Sequence, residues 1–206
     1  MNRKTLAALA LAMSLPALGV PALVSAQATL APSAVAAGTY AVESNHTLAE
    51  FTVSHFGFTD FFGVIPGATG TLTLDPKNVA ATKLDVSLPV AAISTTNTTL
   101  DGELKSADWF DAAKYPTIRF VATKVVQTGE RTAKIEGSVT MHGVTRPLTL
   151  DATFYGAGIN PITKGNTVGF SATGTLKRSE FGVSKYVPLV GDTVQLKIAA
   201  AFEKKA

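Results

Sequence analysis

The sequence predicts an all-β fold, a set of antiparallel strands either closed into a barrel or stacked as a sandwich. Three observations predict it. Segment after segment alternates apolar and polar residues with a period of two. The connections between them are short and rich in Gly, Asn and Thr. Only one stretch, Asn97 to Ala113, has helical spacing instead. Successive strand side chains point to opposite faces, so alternation gives each strand a dry and a wet side. That is the behaviour of antiparallel sheets, not of parallel sheets buried beneath helices. Strands this short and this evenly spaced suit a barrel or a sandwich.

The chain has 206 residues and opens with MNRKTLAALALAMSLPALGVPALVSAQA. A cationic start, an apolar run from Leu6 to Leu15, the helix-breaking Pro16 and small residues beyond it form the layout of a secretory signal. Residues 1–26 are therefore expected to be a signal peptide, with cleavage after Ala26 or, alternatively, after Ala28. The apolar run is too short for a hydrocarbon core of about 30 Å. There is no cysteine, so neither a lipid-anchoring thiol nor a disulfide staple is available despite export. Arg3 and Lys4 leave with the leader, so 18 − 2 = 16 basic residues face 15 acidic ones. A nearly neutral mature chain without a clustered basic face is not expected to bind nucleic acid. Residues 27–37, Ala- and Pro-rich and uncharged, read as a flexible leader, and residues 38–204 as a single domain.

The strands follow in order. Thr39–Glu43 is a short first strand. Leu48–His55 turns Phe51, Val53 and, by parity, His55 to the dry side. Ala68–Leu74 does the same with Leu72 and Leu74, Thr82–Val90 with Leu84, Val86 and Leu88, and Thr117–Lys124 with Ile118 and Phe120. Thr132–Met141 contributes Ile135 and Val139, and Thr145–Tyr155 contributes Leu148, Leu150 and Ala152. Val168–Leu176 contributes Phe170 and Ala172, and Thr193–Glu203 contributes Leu196 and Ile198. Between the second and third of these lies Phe56 to Pro66, with Phe56, Phe58, Phe61 and Phe62 punctuated by glycine. An exposed loop this apolar is unusual, so it is expected to fold inward as a plug or to form an apolar gate. In Asn97–Ala113, Thr98 with Asp101 resembles a capping box. Leu100 and Leu104 are spaced i, i+4, and Gly102 keeps the helix short. This segment is expected to pack on, or plug, one end of the sheet.

The dry faces also carry Gly70, Ala122, Gly137, Ala152, Ala172, Gly174 and Ala200. Small residues inside a closed sheet either leave space for a ligand or make room for large neighbours, and both readings stay open. No G-x-S-x-G elbow, H-E-x-x-H pair or cysteine nucleophile is present, so no catalytic residue is assigned and the chain is not read as an enzyme. His46, His55 and His142 lack zinc-site spacing, so no metal ligand is assigned. His142, in a turn before Gly143, is expected to be exposed. His55 either bonds a polar ligand head or is a structural histidine. Arg178 either binds a phosphate or makes a structural ion pair at a strand end.

Several runs, taken in order, carry a resemblance. They are Tyr40-Ala41-Val42-Glu43-Ser44-Asn45-His46, Phe51-Thr52-Val53-Ser54-His55-Phe56-Gly57 and Lys105-Ser106-Ala107-Asp108-Trp109-Phe110-Asp111. Tyr115-Pro116-Thr117-Ile118-Arg119-Phe120 follows, then Gly137-Ser138-Val139-Thr140-Met141-His142-Gly143-Val144-Thr145-Arg146-Pro147-Leu148 and Arg178-Ser179-Glu180-Phe181-Gly182. The chain resembles the YceI-like family of polyisoprenoid-binding, lipocalin-like proteins over roughly Gly38 to Lys204. It departs from the pattern at Glu103, where a His is usual, at Glu180, where an Asp is usual, and at Trp109, where Phe is common.

The resemblance implies a single antiparallel lipocalin-like β-barrel of about eight strands, periplasmic, with an apolar cavity for a polyprenyl chain such as a ubiquinone-like quinone or a polyprenyl lipid. No cofactor is implied beyond that bound lipid or quinone, and no stable membrane insertion of the mature protein. The expected ligand-binding residues are Phe51, Val53, His55, Leu72, Leu84, Val86, Phe120, Ile135, Val139, Leu150, Phe170, Ala172, Leu196 and Ile198, with Phe58, Phe61, Phe62, Leu104 and Trp109 shaping the mouth. Two alternatives remain: an envelope stress or interaction protein with a filled barrel, and an enzyme acting on a small quinoid or isoprenoid substrate through His55 and Arg178. A homodimer through paired edge strands is also open.

Overall fold

The alternating segments become ten antiparallel strands in a computed structural model that describes residues 28–204. The expected signal peptide lies outside the described residues. The strands are β1 (Gly38–Val42), β2 (Leu48–His55), β3 (Thr59–Pro66), β4 (Thr69–Leu74), β5 (Lys83–Pro89), β6 (Thr117–Gln127), β7 (Thr132–Met141), β8 (Val144–Ile159), β9 (Asn166–Lys177) and β10 (Thr193–Lys204), with one α-helix, α1 (Thr98–Lys105). Their order is β1-β4-β5-β6-β7-β8-β9-β10-β2-β3, and a further pairing of β1 with β10 closes the circle. Successive β1 and β2 both pair with β10, and successive β3 and β4 pair with β2 and β1. Each couple is one long stave broken in the middle. The result is a closed barrel of eight staves, as the lipocalin-like expectation requires.

The breaks have local causes. After β1, Glu43 turns its carboxylate onto the backbone N–H groups of Asn45 and His46, which wraps Ser44–His46 into a 3-10 turn. The buried Thr47 then replaces the lost ladder: its hydroxyl donates to the Ala201 carbonyl and accepts from the Ala201 N–H. Between β3 and β4 the chain turns at Gly67, whose φ of 78° is left-handed and suits glycine. Ser44 Oγ donates to the Ala68 carbonyl at 2.7 Å, tying the two breaks together. On its other side β3 has one isolated bridge among the described residues, a reciprocal pair of bonds between Val64 and Ser94, and Ile65 packs against Val90 and Ile93.

The two ends of the barrel differ. At one end lie the β4–β5, β6–β7 and β8–β9 connections. There the residues expected to form a flexible leader are laid against the sheet. Thr29 bridges Ala157 on the tail of β8, Pro32–Ala34 form a 3-10 turn, and Val35 is buried with Tyr40, Leu72, Phe154, Val168 and Phe202. An uncharged Ala/Pro stretch can lie against an apolar barrel end at little desolvation cost, which its composition alone does not announce. This is the leader end. At the opposite end, the hairpin end, lie the β2–β3 hairpin, α1 and its following turns, the β7–β8 turn and the β9–β10 connection.

The cap of α1 differs from the expected box. Asn97, not Thr98, caps the helix, its side chain accepting from the N–H groups of Thr99 and Leu100. Asp101 turns back to accept from the N–H and hydroxyl of Thr95 at 2.6 and 2.7 Å. Both arrangements spend helix-start chemistry on orphan N–H groups. Leu104 and Trp109 are thereby buried with Ile65, Val90, Ile93 and Val183.

The Phe-rich segment is also not a loop throughout. Only Phe56, Gly57 and Phe58 form the turn, and Thr59–Pro66 is strand β3. Its parity turns Phe61, Gly63 and Ile65 inward and Phe62 outward.

Several inward glycines make room for neighbours. A Cβ on Gly137 would meet the Phe120 ring and the Val121 carbonyl oxygen, both at 2.5 Å, and one on Gly174 would meet Leu150 at 2.7 Å. One of those obstacles is backbone, so the wall itself would have to shift. Gly137→Ala is expected to lower stability by about 1–3 kcal/mol, the usual cost of overpacking, read as an earlier urea midpoint at an unchanged slope.

Candidate functional site

Closure of the sheet encloses a cavity of about 570 Å³, within the range of ligand pockets, roughly 300–1,000 Å³. Its existence shows in the burial pattern of β10. Gln195, Lys197 and Ala199 face solvent, while Val194, Leu196, Ile198 and Ala200 face inward yet stay only half-buried. In a solid core they would be buried; here their accessible surface faces the interior space.

The lining is built strand by strand. β2 contributes Phe51, Val53 and His55, and β5 contributes Leu84, Val86 and Leu88. Across the barrel stand Ile118 and Phe120 of β6, Ile135 and Val139 of β7, and Leu148, Leu150 and Ala152 of β8. Phe170 and Ala172 of β9 and Leu196 and Ile198 of β10 complete the middle. Phe61 of β3, Leu104 of α1 and Trp109 reach it from the hairpin end. Most of the side chains expected to gather around one space therefore do so.

Three do not. Leu72 lies in the filled cluster at the leader end, packed with Tyr40 and Phe202 rather than against the cavity. Phe58 sits at the tip of the β2–β3 turn, 88% exposed, and Phe62 faces outward, 56% exposed. The reason for Phe62 is strand parity; for Phe58 it is a tight turn that leaves its side chain nothing to pack against.

Others line the cavity without having been singled out. Tyr186 and Val190 enter from the β9–β10 connection, and Gln127, Glu130, Arg131 and Thr132 from the β6–β7 turn; Phe56, of the segment expected to form a plug or gate, joins them from the hairpin turn. The apolar content of Val183–Val190 was the available signal, but loops carry no periodicity to give it direction. The cavity thus reaches solvent at both ends. At the hairpin end its edge is aromatic, through Phe56 and Tyr186. At the leader end it is mixed, with Pro32, Val35 and Val79 beside Gln127, Glu130 and Arg131, and the Arg131 guanidinium donates to the Phe154 carbonyl at 2.7 Å.

The polar groups at the hairpin end are mostly committed. Arg178 is 5% exposed. Its Nε donates to the Gly191 carbonyl, Nη1 to the carbonyls of Val183 and Lys185, and Nη2 to that of Val190, all between 2.8 and 2.9 Å. Trp109 stacks over it, 5.6 Å from guanidinium carbon to ring centre. Burial pushes the Arg178 pKa down, and the nearby Asp192 charge opposes that. So Arg178 forms neither the expected strand-end ion pair nor an open phosphate site; it ties the β9–β10 connection into one piece. Asp192 instead receives the N–H and hydroxyl of Ser179.

His55 lines the cavity with its ring 4.3 Å from that of Phe56 and 6.1 Å from that of Phe61, centre to centre. His142 is not the exposed turn residue expected. Its Nδ1 lies 2.9 Å from the Phe181 carbonyl oxygen and its ring meets Tyr115 edge-on at 4.9 Å. Among the described residues no group of three or more His, Cys, Asp or Glu side chains is placed to hold a metal ion, and no helix is long and apolar enough to cross a membrane.

The Arg178 cage makes a sharp expectation. A lysine there offers one ammonium in place of a planar fork and leaves carbonyls unpaired. Arg178→Lys is expected to cost about 2–4 kcal/mol, at about 1–3 kcal/mol per orphaned group, measured by thermal or urea unfolding.

Comparison with known proteins agrees with this geometry. A model of the YceI-like domain matches residues 40–202. A UPF0312 protein of Pseudomonas savastanoi pv. phaseolicola is 36% identical over 199 residues, covering 97% of this chain and 96% of that one. The crystal structure of the Campylobacter jejuni YCEI protein is similar at a TM-score of 0.66 and 29% identity, over 74% of this chain and 90% of that one. A polyisoprenoid binding domain from Saccharophagus degradans, implicated in plant cell wall breakdown, shares the fold at a TM-score of 0.61 and 10% identity, over 81% of this chain and 98% of that one.

Proposed function

The chain belongs to the YceI-like domain family, and from that premise we propose that it is a periplasmic carrier or store for a long-chain polyisoprenoid lipid, ubiquinone-like or polyprenyl, held along the barrel axis. The observation that carries this reading is the 570 Å³ cavity with its almost wholly aliphatic and aromatic walls. Burying apolar surface contributes roughly 25 cal/mol per Å², reduced by the ordering costs of binding. A ligand that is mostly hydrocarbon gains most from such walls and needs few polar partners. The signal-like N-terminus supports an exported protein, and the S. degradans domain of the same fold supports the ligand class by analogy. The cavity weighs against the filled-barrel alternative. The commitment of Arg178 to four carbonyls weighs against the enzyme alternative, because that group is not free to act on a substrate.

Native mass spectrometry of protein purified without detergent should show an adduct that organic extraction removes and that prenyl lipid restores. An unliganded mass that stays unchanged after prenyl lipid is added would overturn the carrier reading. Ala172 stands midway along β9 and lines the cavity between Ala152 and Ile198. Ala172→Phe puts an aromatic ring into the space that Ala172 lines. It is expected to abolish the adduct while leaving the circular dichroism spectrum unchanged.

A further inference from the structure

The hairpin end carries an apolar surface that the cavity alone does not explain. Phe56 and Tyr186 line the cavity and are also 48% and 56% exposed, so the same rings form its wall and its outer lip. Beside them Phe58 is almost wholly exposed and Leu189 is 62% exposed. The Phe56 N–H donates to the Leu189 carbonyl at 2.8 Å, and His55 bridges Val190, so the hairpin tip and the β9–β10 connection are one continuous rim. Phe56 and Tyr186 hold left-handed backbone, at φ of 52° and 63°. Bulky residues occupy that region at a cost, and here it turns two aromatic rings to the lip.

We infer that this rim, Phe56 and Phe58 with Tyr186 and Leu189, is a membrane-docking surface that seats the cavity mouth on a neutral phospholipid bilayer. The inference rests on the carrier reading, because a polyisoprenoid resides in bilayers and passes through the mouth that faces one. Aromatic side chains suit the boundary between headgroups and hydrocarbon. The charge around the rim selects the kind of surface. Asp60 pairs with Ser54 beside the hairpin tip, Glu103 lines the cavity with Tyr186, and Lys185, its ammonium 5.6 Å from the Tyr186 ring centre, is paired with Asp108 at 2.9 Å. That pairing neutralises Lys185, so docking depends on apolar insertion rather than on anionic lipid. A second exposed apolar group, Tyr155 and Ile162 on β8 and the β8–β9 turn, lies toward the leader end and does not line the cavity. It serves as an internal control.

The test is flotation of the mature protein with phosphatidylcholine vesicles. The wild type should float, and adding phosphatidylglycerol should not strengthen binding. F58S/L189S should float at least about tenfold less, given the apolar area removed, while taking up prenyl lipid delivered from ethanol as the wild type does. Y155S/I162S should float like the wild type. Docking is overturned if the wild type does not float, if it floats only with anionic vesicles, or if both double variants lose binding equally. It is also overturned if F58S/L189S converts a solution dimer to monomers, which would make a second copy the occupant of the rim. Vesicle binding by a protein whose cavity never loads would support the docking surface and remove the carrier reading, so the two failures are distinguishable.

Discussion

The barrel depends on one join. β10 must pair with β1 at its C-terminal end, Val42 to Phe202, and with β2 further back, Leu48 to Ala199. Between those two ladders the first stave leaves the sheet for a turn, and the gap falls opposite Ala201. Thr47 fills it by donating to and accepting from the Ala201 backbone. An edge with unpaired amides at this point would be an open seam. With the join made, the sheet has an inside, and everything said of the cavity follows from that enclosure.

What the enclosure contains is decided by where large side chains have small partners. Phe120 lies over Gly137, Leu150 over Gly174 and Phe51 over Gly63, where a Cβ would stand 2.2 Å from the ring. These glycines act as sockets that hold bulky residues flat against the wall. Space remains along the axis because the rings lie down, not because the walls are thin. Toward the leader end Phe154, Phe170 and Phe202 stack edge to face at 5.8 and 6.2 Å and narrow the space they line.

Much of this was legible in the sequence. Period-two alternation places nearly every strand residue on its correct side, from Phe51 to Ile198, because burial of one face fixes strand register. The quoted motif runs select the barrel over the sandwich. Illegible parts share a cause, the lack of a period. Phe58 and Phe62 read as one apolar loop with Phe61 until the strand between them is known. Leu72 faces inward as alternation requires, but alternation does not reveal which stretch of the axis is filled. Tyr186 and Val190 come from an irregular connection whose course is set by the Arg178 cage, a set of contacts to backbone carbonyls that no side-chain pattern announces. Trp109 keeps its indole N–H buried without a partner among the described residues, so it is its ring, packed with Leu104 and Val183, that fits the site.

The second stave has a further consequence. Along most of the circumference each strand is zipped to both neighbours, but among the described residues the backbone bonds on the outer side of β3 are those of the Val64–Ser94 pair. Net hydrogen-bond contributions are about 1 kcal/mol each, so this flank is held mainly by the packing of Ile65 against Val90 and Ile93. Local opening is drawn from such weakly tied regions. A ring held along its length everywhere else and at a point on this flank gives way first there, which makes the wall beside Val64 the natural place to look for early amide exchange.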